Sequence, residues 1–99
     1  MSALMKFSLG QVVATPGALE ALRRNNATGL EYIRRHAECD WGDLDAEDKA
    51  ANEAALNSGA RLMSSYFLPD ETKLWLITDA TVDQEGHRLT TTLLLPEDY

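Results

Sequence analysis

Arg61-Leu-Met-Ser-Ser-Tyr-Phe-Leu-Pro-Asp-Glu-Thr-Lys-Leu-Trp-Leu-Ile-Thr78 is where this chain changes character. Arg61 to Leu68, Lys73 to Thr78 and, further on, Arg88 to Leu95 are rich in Leu, Tyr, Phe, Trp, Ile and Thr, side chains that suit a pleated, half-buried surface. Pro69-Asp70-Glu71-Thr72 and Asp83-Gln84-Glu85-Gly86 separate the three runs with residues that favour turns. The pattern predicts a meander of three strands.

Upstream of Arg61 the apolar residues recur at helical spacing instead. Asp45, with Asp48 three residues on, has the form of a helix cap. Acids crowd the first turn, where the helix dipole favours them, and Gly59 stands where a left-handed C-cap belongs. Thr28 is a second candidate cap, with Leu30, Ile33 and Ala37 following at i, i+3 and i+7 in a short helix ending near Cys39. Thr15 and Pro16 open a further helix, carrying Ala18, Leu19, Ala21 and Leu22 and ending near Asn25-Asn26, so that two short helices form a hairpin. Before it, Phe7 to Ala14 reads as a first strand. The expected order is β-α-α-α-β-β-β. The fold class is α+β, an antiparallel sheet of about four strands with helices packed on one face. At 99 residues the chain is expected to form one domain around one core, its helical part spanning about 15–59 and its strand meander about 61–95.

In Leu74-Trp75-Leu76-Ile77 both alternating sets are apolar, which implies that both faces of that strand are covered. Helices cover one face. The other must be covered by a partner, a second copy or the chain ends, and Trp75 is the candidate contact there.

Hydrophobic residues make up 44% of the chain and charged residues 25%, ordinary globular usage that excludes disordered and fibrous classes. Met1 to Gly10 has one Lys and no apolar run of signal-peptide length, and nowhere do about 18 apolar residues stand together, so neither export nor a membrane span is expected. With Cys39 as the single cysteine, no intramolecular disulfide can form, and the reducing cytoplasm is the expected compartment.

The net charge of −7 is unevenly spread. Residues 1–37 carry five bases and two acids, whereas residues 38–99 carry four bases and fourteen acids, local balances of +3 and −10. Nucleic-acid binding draws on clustered Lys and Arg, so no direct nucleic-acid contact is expected and a basic protein is the expected partner. Glu38, Asp40, Asp43, Asp45, Glu47, Asp48 and Glu53, opposed by Lys49 alone, form the densest acidic stretch. Their spacing does not match a calcium loop. They are either a capped, solvated helix start or a partner-binding face, on which Asp40, Asp43, Glu47 and Glu53 are the candidate contacts. Trp41, inside this stretch, is either folded onto the core or left as an interface anchor.

His36 and Cys39 lie three apart and His87 far along the chain, short of the four ligands of structural zinc and without the spacing of a catalytic site. No metal is expected. Cys39 and His36 have no third orienting group by sequence, so no nucleophilic catalysis is expected. Gly10 follows a strand, but no second and third glycine complete a phosphate-binding fingerprint and no Walker sequence occurs, so no cofactor is expected. Arg23, Arg24, Arg34 and Arg35 make two basic pairs that either touch DNA or pair with Glu20, Glu31 or Glu38 at helical spacings.

Phe7-Ser-Leu-Gly-Gln-Val-Val-Ala-Thr-Pro-Gly-Ala-Leu-Glu-Ala-Leu22, Trp41-Gly-Asp-Leu-Asp-Ala-Glu-Asp-Lys-Ala-Ala-Asn52 and Leu94-Leu-Pro-Glu-Asp-Tyr99 resemble a family of small "plasmid-related" proteins of bacterial mobile elements, with the likeness spanning nearly the whole chain. Members are often described as the modification subunit of a type I restriction system. The glycine-rich cofactor loop and the N-P-P-[YF] or D-P-P-[YF] motif of such a subunit are not in this sequence. The resemblance implies a mobile-element setting and a cytoplasmic accessory role, and it brings no catalytic residues. Charge and resemblance together lead to the expectation of a non-enzymatic, acidic, protein-binding accessory protein, an inhibitor of a host defence complex of the restriction or CRISPR type. The alternative is a DNA-associated regulator or antitoxin using the arginine-bearing hairpin as a dimer.

Overall fold

The computed structural model describes residues 6–99; Met1–Met5, half of the Met1–Gly10 stretch that carries no apolar run of signal-peptide length, lie outside the described residues. Along the chain stand β1 (Gln11–Ala14), α1 (Pro16–Arg24), α2 (Gly29–Ala37), α3 (Ala46–Ser58), β2 (Leu62–Phe67), β3 (Lys73–Thr78), β4 (Thr90–Leu94) and a 3-10 turn at Pro96–Asp98. The expected α+β order is therefore the observed one. The caps work as their chemistry requires: Thr15 Oγ1 accepts from the Ala18 N–H at 3.1 Å, and an Asp45 carboxylate oxygen accepts from the Asp48 N–H at 2.8 Å. Gly59 ends α3 with φ 84°, left-handed. Thr28 occupies the N-cap of α2 without a side-chain hydrogen bond.

Two expectations need correction. The sheet is mixed, not antiparallel: its order is β1-β4-β3-β2, with β1 parallel to β4 and the other pairs antiparallel. Three helices and two strands carry the chain between β1 and β4, a connection long enough to bring β4 alongside β1 in the same direction. The first strand is also shorter than Phe7–Ala14. Gly10, at φ 64°, turns the chain, and Phe7 leaves the sheet to stack near Trp41 (centroids 6.2 Å apart) and meet His36 edge-on at 5.2 Å.

All three helices pack on one face of the sheet. Ala18, Ala21 and Leu22 of α1 and Tyr32 of α2 join Tyr66, Leu74, Leu76 and Leu93 in one apolar cluster. Ala55 of α3 joins Leu62 and Trp41 in a second. Between the clusters lies His36, fully buried, with Nδ1 2.5 Å from Ser64 Oγ and Nε2 2.8 Å from Thr78 Oγ1. The chain of hydroxyls continues through Thr91 Oγ1 to the carbonyl of Leu9. By register the opposite face carries Met63, Trp75, Ile77, Thr92 and Leu94. Of the three coverings considered for it, the chain end provides one: Tyr99 meets Trp75 edge-on at 5.9 Å, its hydroxyl accepting from Arg61 at 2.6 Å. Asp98 holds this tail in place by accepting from the Thr15 hydroxyl and the Leu95 N–H.

Candidate functional site

The acidic stretch begins where α2 stops. Cys39 turns the chain with a positive φ of 66°, and the Asp40 N–H donates back to the Arg35 carbonyl at 2.8 Å, a helix ending that normally uses glycine. Asp40 then accepts from Arg35 Nε at 2.7 Å and from the Gly42 N–H at 3.2 Å. The Arg35 hydrogen bond holds its carboxyl below the usual range. The next residues run beside β2: the Ser65 N–H donates to the Trp41 carbonyl and the Asp43 N–H to the Ser65 carbonyl. Gly42, φ 75°, permits this approach, since a side chain there would strike the Ser65 carbonyl.

Trp41 is folded onto the core, 4% exposed, so its ring is not available as a surface anchor. Its Nε1 donates to Glu53 Oε2 at 2.9 Å, which fastens the loop to α3. Glu53 is thus an exposed carboxylate with a structural bond already made, and Asp40 is an exposed carboxylate paired with a guanidinium. Asp43 and Glu47 are exposed and make no ion pair among the described residues; neither does Asp48, beside Glu47 in the first turn of α3. Asp40 and Asp43 lie on the loop and Glu47 in the first turn of α3, whereas Glu53 stands in the middle of that helix. Trp75 is not part of that group; it lies half-buried on the face of the sheet away from the helices.

The arginines of the helical hairpin are largely engaged. Arg23 pairs with Glu20 at 2.5 Å, Arg24 with Asp70 at 3.7 Å, and Arg35 pairs with Asp40 while lying 4.5 Å over the Tyr66 ring. Arg34 alone of the four makes no ion pair among the described residues. Glu20 is one of the partners that helical spacing suggested, whereas Asp40 lies just past the end of α2 and Asp70 far along the chain.

The structure does not bring His36, Cys39 and His87 together. Both nitrogens of His36 are occupied by hydroxyls, and burial lowers its pKa to about 4, so it stays neutral and is not poised to activate a thiol. Burial likewise pushes the Cys39 thiol up. His87 instead joins Asp83 and Glu85, three exposed side chains with ligand atoms within 4.8 Å of one another in the turn before β4. The alternation Asp-x-Glu-x-His was the available sequence signal for that cluster. His87 Nδ1 lies 2.7 Å from one oxygen of Asp83, whose other oxygen accepts the N–H groups of Glu85 and His87.

Arg88 was also missed. It is 4% exposed, bonded to the carbonyls of Ala55, Ala60 and Asp79, and so ties the end of α3 to the strands. No helix among the described residues is long and apolar enough to cross a membrane. No protein-family model, no curated protein and no solved structure matches this chain.

Proposed function

We propose that this protein is a non-enzymatic binding module that docks on a basic protein surface through the carboxylates of Asp43, Glu47 and Asp48, flanked by Asp40 and Glu53. One observation carries the reading. Asp43, Glu47 and Asp48 stand exposed on the loop and the first turn of α3 with no ion pair among the described residues, whereas most of the arginines on the hairpin are paired with carboxylates. A surface of this kind accelerates encounter with a basic partner and repels phosphate. The resemblance of the quoted segments to plasmid-related proteins directs attention to one partner class, a host defence complex of the restriction or CRISPR type, whose nucleic-acid groove is basic. The pairing of Arg23, Arg24 and Arg35 weighs against the rival reading as a DNA regulator.

Capture from the native host followed by mass spectrometry identifies the partner, and association kinetics with the purified partner then test the surface. The double variant Asp43→Lys, Glu47→Lys leaves the Asp45 cap and the Glu53 bond to Trp41 intact. It is expected to slow association at low salt by about ten-fold or more, with folding unchanged. Association at the original rate and affinity refutes the acidic-surface reading. Salt-sensitive micromolar binding of duplex DNA in a gel shift would favour the regulator instead.

A further inference from the structure

The two edges of the sheet are treated differently. Along the outer edge of β2, Asn52 of α3 gives its amide to Met63, donating to the carbonyl at 2.7 Å and accepting from the N–H at 3.1 Å. The Trp41–Asp43 backbone takes both polar groups of Ser65. That edge is closed. On β1, Gln11 and Thr15 donate inward to the carbonyls of Leu89 and Leu93, so the alternating residues Val12 and Ala14 turn their N–H and C=O outward. Among the described residues nothing pairs with them.

Charge says what fits this edge. Residues 7–19, which contain β1, form the longest run in the chain with no Asp, Glu, Lys or Arg. Two copies of a chain with net charge −7 repel one another over most of their surface, and here they meet without like charges. Val12 and Val13 are 40% and 38% exposed on opposite sides of the strand, and although β1 is short, it carries no charged side chain or proline, and no covering segment lies on it among the described residues.

We infer that β1 is the seam of a symmetric homodimer, in which it pairs antiparallel with β1 of a second copy and joins two four-stranded sheets into one of eight strands. The outward groups define the register. Val12 faces Ala14 of the partner copy and Ala14 faces Val12, exchanging four main-chain hydrogen bonds, while the two Val13 side chains meet on the two-fold axis as a non-hydrogen-bonded pair. A seam of four residues is at the small end of interface sizes, so the dimer depends on concentration.

Sedimentation of the full chain from micromolar to millimolar concentration tests this. The weight-average mass should rise from that of an 11.0 kDa monomer toward the dimer. Val13→Glu sets two carboxylates against each other on the axis and should abolish the rise, with circular dichroism and thermal unfolding of the monomer unchanged. Should that variant fold poorly, a second decides: Val13→Cys in a Cys39→Ser background should oxidise to a covalent dimer, because directly opposed residues of such a pair have Cα atoms about 4.5 Å apart, within disulfide reach. A monomeric mass at every concentration overturns the inference and leaves the edge to an extended segment of another protein. A dimer that survives Val13→Glu, or that gives no cross-link through Cys at position 13, overturns the assigned seam.

Discussion

Under α1 and the first turns of α2 the core is mainly aliphatic and aromatic contact, whereas beneath the end of α2 and α3 it is threaded with polar bonds. Ala18, Ala21, Leu22, Leu74, Leu76 and Leu93 fill the first region with aliphatic groups, and Tyr32 and Tyr66 meet at 5.5 Å. In the second, Trp41, Ala55 and Leu62 are fewer, and around them stand the bonds of Trp41 to Glu53, Asn52 to Met63, and Arg88 to the end of α3, with the His36 hydroxyl chain alongside. Aliphatic contacts tolerate small shifts, but a hydrogen bond between buried groups fails over a fraction of an ångström and leaves both partners unsatisfied. The polar region is thus the part that specifies how α3 and the acidic loop sit on the sheet.

The largest expected effect comes from removing the ring that organises that region. Trp41→Ala should cost about 3–5 kcal/mol in urea unfolding, since the ring is buried and bonded to Glu53. A loss below about 1 kcal/mol, together with loss of partner binding, would break the comparison and restore Trp41 as an anchor.

Acid should separate the two regions next. Folded His36 titrates near 4 because burial disfavours its charge and Arg88 adds repulsion, whereas in the unfolded chain it takes a proton near 6.5. The unfolded state therefore binds more protons between those values. The stability from neutral His36 is fully present above pH 6.5 and is lost as pH falls toward 4, roughly 3 kcal/mol in all. Asp40 and Asp98, held low by Arg35 and Thr15, add their losses at still lower pH. Leu76→Ala, in the aliphatic region, should cost about 2–5 kcal/mol at every pH and leave this slope intact. Chemical denaturation between pH 7.5 and 4.5 checks both; a flat profile for the unmodified chain would remove His36 from the account.

The smallest effect sharpens the contrast within the aliphatic region itself. Thr15→Ala removes an N-cap bond and the tie to Asp98 and should cost about 1 kcal/mol, whereas Thr28→Ala, which removes no side-chain bond, should change stability by only a few tenths. Equal losses on thermal unfolding would contradict the cap geometry.

Where a feature depends on neighbours a few residues away, the sequence was legible. Asp45 and Gly59 bracket α3 because a cap bonds three residues on and a left-handed turn favours glycine. Lys73 to Thr78 reads as a strand and is one. Phe7 reads as a strand residue because its apolar character suits a strand and a core equally, and only Gly10 turning the chain decides between them. The carboxylates are visible as residues in the sequence, but not which of them are engaged: Asp40 is bound by Arg35 and Glu53 by Trp41, leaving Asp43 and Glu47 without an ion pair among the described residues.

By itself the sequence determined the order of helices and strands, the places where most of them stop, and the excess of acid after Ala37, all properties carried by adjacent residues and their backbone preferences. Only the tertiary structure decided that β4 returns beside β1 in parallel, that Trp41 is interior, that Tyr99 packs on Trp75, and that one edge of the sheet is closed while the other is open among the described residues. Those outcomes join residues far apart in the chain. They are selected by the packing of the whole sheet against its helices, for which no local spacing carries a signal.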